Sequence, residues 1–317
     1  MPMRSEQSYI NEIIGSSYVD VYAASYIPRY RYPNRLMHAG KAHNDMRAMC
    51  TRLIIDSAYE DEDMTNEDVL ESALKQSADI VIPKDYPGEP ERTRESLVDF
   101  LNRYQDIDGR RPEIMPVLQP PYVEHYEAHE SFYQQFSRLA IGGLQSLNDP
   151  EKQVRRIRAI SDAVSDHTYL HAFGVGTSLT MIRAIRNEPN LIDSFDTKTA
   201  EFAIVNKQIP DKEWKQRQLT LPSGTDISTV NGQFAKSVLL MANYMLTDRV
   251  DDPCLEETYH TQTNLDTVQD MINDIPAKQR QHRSQLTVDR NQAGQSQTST
   301  TADHPDDSTT QSGIQSY

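Results

Sequence analysis

Cysteine is scarce in this chain. Cys50 and Cys254 are the only two among 317 residues, and neither belongs to a CxxC pair or a Cys/His cluster. A disulfide framework and a cysteine-built zinc site therefore have no support, which suits a reducing cytoplasm and no structural metal. Long apolar runs are missing too. No segment approaches the roughly 20 apolar residues of a membrane span, and residues 1–14 lack a signal-peptide core. The expectation is a soluble cytoplasmic protein with no membrane partner.

Positive charge is also in short supply. Lys and Arg number 32 against 47 Asp and Glu, a formal charge of −15. Residues 276–317 do not account for it, because Lys278, Arg280, Arg283 and Arg290 balance Asp289, Asp303, Asp306 and Asp307. Such a net field repels phosphate backbones. Either the partner is not a nucleic acid, or the surface is acidic for solubility in high salt. The few lysines favour the second, a halophilic source.

Residues 18–52 run against this trend. Arg29, Arg31, Arg35, Lys41, Arg47 and Arg52 alternate with Tyr26, Tyr30 and Tyr32, opposed only by Asp20 and Asp45. Cations among aromatics suit a sugar-phosphate strand with unstacked bases. The competing reading is a surface loop whose arginines pair with the plentiful acids.

Short apolar runs at 19–23, 36–39, 53–56, 79–83, 114–119, 139–142, 169–173 and 191–195 read as strands, several apolar throughout as in a sheet covered on both faces. Helical patterns fall at 67–77, 91–104, 123–136 and 177–186. The clearest follows Asn148, Asp149 and Pro150, with Val154, Ile157, Ile160 and Val164 on one face. Eight strands alternating with helices predict a parallel (β/α)8 TIM-type barrel, for which roughly 250 residues suffice. Residues 1–275 then form the barrel with closing helices at 232–246 and 255–275. Residues 276–317, rich in Gln, Ser, Thr and Asp, form a disordered tail.

The strand ends carry a suggestive set. Asp56, Asp85, Gln119, Gly142 with Gly143, Gly174 with Gly176, and Asp196 each follow or close one apolar run. Singly, such residues cap helices or make turns. Together they describe a pocket on the active face of a barrel. Two carboxylates at one sugar carbon suit double displacement, one attacking while the other moves the leaving group's proton. A third carboxylate beside an amide and glycine N–H groups suits the edge of a flat heterocycle. The acidic turn Glu60, Glu62, Asp61 and Asp63 reads as solvated. His125 and His129, four apart on a helix, form a His-x-x-x-His without an evident glutamate partner and read as surface chance rather than a metal pair.

At this point the motifs resemble a known family. PVLQ at 116–119, AIGGL at 140–144, FGVGT at 173–177 and IDSFD at 192–196, with LIIDS at 53–57 and ADIVIPKDY at 78–86, look like the tRNA-guanine transglycosylase superfamily in order and spacing. The resemblance implies Asp196 as nucleophile and Asp56 as general acid/base, with Ser57 helping to bind the base. It implies Asp85, Gln119, Gly142 and the Gly143 N–H as the base-reading edge, Leu144 beside them, and Phe173 and Gly174 against the base. It implies exchange of guanine for a free 7-deazaguanine base, without cofactors.

The chain departs from the tRNA enzymes by having no cysteine between Cys50 and Cys254, where their zinc motif would lie. Ala58, Tyr59 and Glu60 also replace a glycine-rich turn, and no extra RNA-binding domain is expected. It therefore looks more like the viral and bacterial branch that inserts 7-deazaguanines such as preQ0 into DNA, here from a virus of a halophilic archaeon and acting in the host cytoplasm. Action on tRNA, or a silent nucleic-acid-binding relative, are the alternatives, and a homodimer is compatible with either.

Overall fold

The computed structural model describes residues 6–24, 31–41, 46–200, 208–210, 216–218, 239–240 and 242–247. After helix α1 (Glu6–Gly15) the chain lays down β1 (Asp20–Ala23), β2 (Asn34–His38), the short α2 (Met46–Met49) and β3 (Arg52–Asp56). Then come α3 (Asn66–Lys75), β4 (Ile80–Val81), α4 (Pro90–Gln105), β5 (Glu113–Ile114) and β6 (Val117–Leu118). The series ends with α5 (Tyr122–Ala128), α6 (Glu130–Tyr133), β7 (Arg138–Ile141), α7 (Pro150–Ala163), β8 (Tyr169–Ala172), α8 (Leu179–Asn187) and β9 (Ser194–Thr197). A separate antiparallel pair joins β10 (Gln208–Pro210) to β11 (Gln216–Gln218).

Strands β1 to β9 form one parallel, curled sheet in the order β5-β4-β3-β2-β1-β9-β8-β7-β6. Its two outermost strands are separated in the chain only by Met115 and Pro116. The sequence predicts a single strand over 114–119, and proline divides it. The Met115 N–H donates to the Val81 carbonyl at 3.0 Å on one side, whereas Pro116, with no N–H, accepts through its carbonyl from Ala140 N–H at 2.8 Å on the other.

Alternation along the strands makes two apolar layers. Val21, Ala23, Met37, Leu53, Ile55 and Phe195 belong to the large cluster that also takes in Val69, Leu97, Phe100, Ile157 and Ile182 from the helices. Tyr22, Leu36, Ile54, Ile80, Ile82, Met115, Val117 and Ala140 form a second cluster on the opposite face, with Phe173 against it. Each fully buried aliphatic side chain contributes roughly 1.5–3 kcal/mol.

The helices start where side chains can satisfy their first N–H groups. Asp149 accepts from Glu151 and Lys152 N–H ahead of Pro150, Ser178 accepts from Met181 N–H, and Thr65 forms a reciprocal capping box with Asp68. Val154, Ile157 and Ile160 are buried on α7 as their spacing predicts.

Three further elements differ from the sequence reading. The helix expected over 123–136 breaks at His129, whose φ of −127° and ψ of 26° leave the helical region. The strand expected at 191–195 starts later, at Ser194. Leu191 closes a turn on the Glu188 carbonyl, so its burial reflects packing of that turn rather than pairing in the sheet. Helix α1 carries buried Ile13 but shows too weak an apolar stripe to be read in advance. Of the closing helix expected at 232–246, residues 239–240 and 242–245 are helical. The helix at 255–275 and the tail at 276–317 lie outside the described residues. No helix among the described residues is long and apolar enough to cross a membrane.

Candidate active site

A cavity of about 560 Å³ opens at the C-terminal ends of the strands, lined by Leu36, His38, Asp56, Tyr59, Asp85, Gly142, Gly143, Gln145, Phe173, Gly174, Asp196 and Lys198 among others. Register explains the convergence. His38 on β2 is the Cα partner of Asp56 on β3, and Tyr22 on β1 is the partner of Asp196 on β9. Both pairs fall on the inward parity of their strands, so two carboxylates enter the same space.

Asp56 is buried, and its carboxyl is pushed up to about 8, first by loss of hydration and then by the like charges of Asp85 and Asp196. The group is therefore protonated at neutral pH. Its Oδ1 accepts from Ser57 N–H at 2.8 Å, and its Oδ2 lies 3.6 Å from His38 Nε2. The His38 imidazole is driven down to about 4 by burial and by the cations Lys198 and Lys41, so it is neutral. Asp196 faces different company: Oδ1 accepts from the Gly174 N–H at 2.8 Å and lies 3.7 Å from His171 Nε2. His171 is fully buried and its Nδ1 is 2.8 Å from Ser194 Oγ, one residue pair deeper in the sheet.

Asp85 is held by the protein itself. Ser57 Oγ donates to Oδ1 and Gln119 Nε2 donates to Oδ2, both at 2.8 Å, while burial pushes its carboxyl above the ordinary range. Gln119 also accepts from Gly88 N–H at 3.2 Å. Ser57, Gln119 and Leu144 are wholly buried and do not line the cavity, so they stand behind it. This accounts for one glycine differently from the sequence reading. A Cβ at Gly142 would stand 2.3 Å from Gln119 Nε2, so the close approach there is made by the protein's own amide. Gly143 adopts the left-handed φ of 69° that lets the chain turn into Leu144.

The basic segment is redistributed. Lys41 is exposed and close enough to depress His38, and Arg31 is exposed. Arg35 is instead fully buried in β2, on the parity that faces the helices. Arg47 pairs with Asp79, which also receives Arg110 Nη2 at 2.9 Å. Asp79 precedes β4, at the end of the strands opposite the cavity. Arg29 lies outside the described residues. Neither Arg35 nor Arg47 is free to meet phosphate, because one fills the interior and the other neutralises a half-buried strand-start acid.

His38, His171, Lys198 and Tyr59 were not assigned roles from sequence, yet three of them line the cavity and the fourth backs Asp196. For His38 the signal was present: it closes an apolar run as Asp56 does. The turn from Glu60 to Asp63 is exposed as expected. His125 corrects the surface reading, being buried with its ring nitrogens on Tyr133 and Glu91. The chain matches no protein-family model and no curated protein.

Proposed function

We propose that the protein is a base-exchange glycosyltransferase that replaces guanine with a 7-deazaguanine in DNA, on a sheet closed as a (β/α)8 barrel. Closure is supported by the arrangement of β5 and β6, which carry the two ends of the strand order within one short stretch. The observation that carries the activity is the pairing of carboxyls in unlike settings in one cavity: Asp56 buried, with loss of hydration and two like charges pushing its carboxyl up, and Asp196 oriented by a backbone N–H.

In this reading Asp196 attacks C1′ of the target nucleotide. The C1′–N9 bond breaks, and the departing guanine takes its proton from Asp56. A glycosyl-aspartate ester forms. The 7-deazaguanine then enters, Asp56 as carboxylate removes the proton from its N9, and that nitrogen attacks C1′ to release Asp196. Neither oxidant nor nucleotide cofactor is required by this balance. Asp85, fixed by Ser57 and Gln119, offers its remaining lone pairs to the N–H donors of the guanine edge, and Phe173 lies against the base. The target base must leave the duplex stack to reach C1′, and Lys41, Lys198 and Arg31 would meet the phosphates beside it.

Exchange of radiolabelled guanine into DNA and into tRNA tests this reading. Incorporation into DNA that Asp196→Asn abolishes, by at least about 10⁴-fold for loss of a nucleophile, is the expected result. Labelling of tRNA alone would move the substrate assignment to tRNA. Unchanged exchange in Asp196→Asn would overturn the mechanism.

A further inference from the structure

Outside the cavity, one titratable cluster joins two elements. His125 lies on helix α5 and His129 caps its C-terminal end, four residues on, and Glu91, from the first turn of α4, meets both. Glu91 Oε1 lies 3.3 Å from His125 Nδ1 and 3.0 Å from His129 Nε2, and the three donor atoms stand within 4.8 Å of one another. Among the described residues this is the only such group.

We propose that Glu91, His125 and His129 bind a divalent transition-metal ion, of which zinc is the best fit, with water as fourth ligand. Two imidazoles and one carboxylate are a zinc-type donor set. Ligands about 2.0–2.1 Å from a tetrahedral ion stand roughly 3.3 Å apart, and both measured gaps are close to that. The surroundings match those of a ligand set. Arg94 Nε donates to Glu91 Oε2 at 3.1 Å, leaving Oε1 for the ion, and Tyr133 Oη lies 2.9 Å from His125 Nε2, fixing the ring. In the tautomer whose Nε2–H donates to Tyr133, the Nδ1 lone pair faces the carboxylate, a repulsion that a cation relieves; in the other tautomer Nδ1–H bonds to Glu91. His125 is buried, whereas the side chains of Glu91 and His129 are 58% and 28% exposed, so an ion can enter and keep a water.

The position suggests the role. Helix α4 follows the strand and loop that carry Asp85, and α5 follows the one that carries Gln119. An ion there clamps the two helices behind the Asp85–Gln119 hydrogen bond without touching the cavity. This site does not depend on the glycosyl-transfer reading, and its test does not involve turnover.

Titration of the full chain, stripped with chelator, with ZnCl2 in a calorimeter measures it directly. One zinc per chain is expected, with affinity reduced on the order of 100-fold in His129→Ala and in Glu91→Gln, at or beyond the upper end of what losing a supporting group costs. Far-ultraviolet circular dichroism checks that both variants fold, and Glu91→Gln preserves side-chain shape if His129→Ala does not. Co2+ should give ligand-field absorption in the wild-type chain that either variant loses. If the wild-type chain takes up no stoichiometric zinc, or both variants bind it as tightly, then His125 Nδ1 carries a proton to Glu91 and the cluster is a hydrogen-bonded strut.

Discussion

Gln119 Nε2 donates to Asp85 Oδ2 at 2.8 Å, with Gln119 fully buried and Asp85 at the cavity wall. The bond spans 34 residues of sequence, linking the segment after β4 to the end of β6. Because the same amide accepts from Gly88 N–H, one side chain satisfies both an acidic group and a turn. Its place is secured by Gly142, the residue whose missing Cβ leaves room for the amide.

Gln119→Leu should therefore destabilise the fold although it exchanges a polar for an apolar side chain in a buried position. It leaves the buried Asp85 carboxyl short of one donor, at a cost of about 1–3 kcal/mol, whereas the exposed Gly88 N–H can turn to water. Urea denaturation should show a loss of roughly 1–3 kcal/mol. A stability equal to the wild type would mean that Asp85 finds another donor.

The raised carboxyl of Asp56 gives linked predictions of activity and stability. As the general acid it is active while protonated, so turnover should fall about tenfold per pH unit above about 8. Stability has the following sign. An unfolded Asp56 ionises near pH 4, whereas the folded one resists ionising until about 8. The folded state thus binds the extra proton in between, and stability falls as pH rises from 4 to 8. Asp56→Asn, whose side-chain oxygen can still accept from Ser57 N–H, should remove that slope and raise stability at pH 8 by about 2–5 kcal/mol while abolishing exchange. Thermal melts of both proteins across this range check it, and parallel pH profiles would refute the assignment.

How much of this was legible in sequence depends on the range of the interaction. Asp56, Asp85 and Asp196 could be found because each closes or follows an apolar strand run, and strand ends converge by topology alone. The parity of a strand was equally legible, and it assigns Arg35 to the side facing the helices. Counting it with the basic tyrosine-rich segment used composition where alternation was the stronger signal. Pairings across elements were not legible: nothing local joins Glu91 to His129, 38 residues away, or Arg47 to Asp79. Pro116 shows a third case, where the missing N–H was visible but its consequence, a change of ladder partner within one run, depends on which strands flank it.

His171 should matter to Asp196 through position. Its ring is fully buried, edge-on to Phe173 at 4.8 Å between centroids and to Tyr22 at 5.7 Å, and anchored on Ser194. His171→Ala removes this contact with the nucleophile's neighbourhood and leaves a void, for which about 2–4 kcal/mol of stability loss is expected. His171→Asn keeps a polar atom near Ser194 but withdraws the group facing Asp196. It should lower kcat with little change in KM, and a change confined to KM would assign His171 to substrate binding instead.

The redistribution of the basic segment can be checked by salt. Lys41 and Lys198 both act on His38 at the cavity mouth, whereas Arg47 is engaged with Asp79 at the far end of the strands. Each cation that neutralises a phosphate of a single strand contributes about 0.7 to the slope of log affinity against log salt concentration. Lys41→Gln and Lys198→Gln should each reduce that slope by about 0.7 in a binding assay with single-stranded DNA. Arg47→Gln should leave the slope unchanged and reduce stability, because it withdraws a partner from a half-buried acid at the start of β4; the loss is about 1–2 kcal/mol, moderated by Arg110, which stays on the same carboxylate. The reverse outcome, an Arg47 variant that binds DNA less salt-dependently while both lysine variants behave as wild type, would place the nucleic acid at the other end of the sheet and separate it from Asp196.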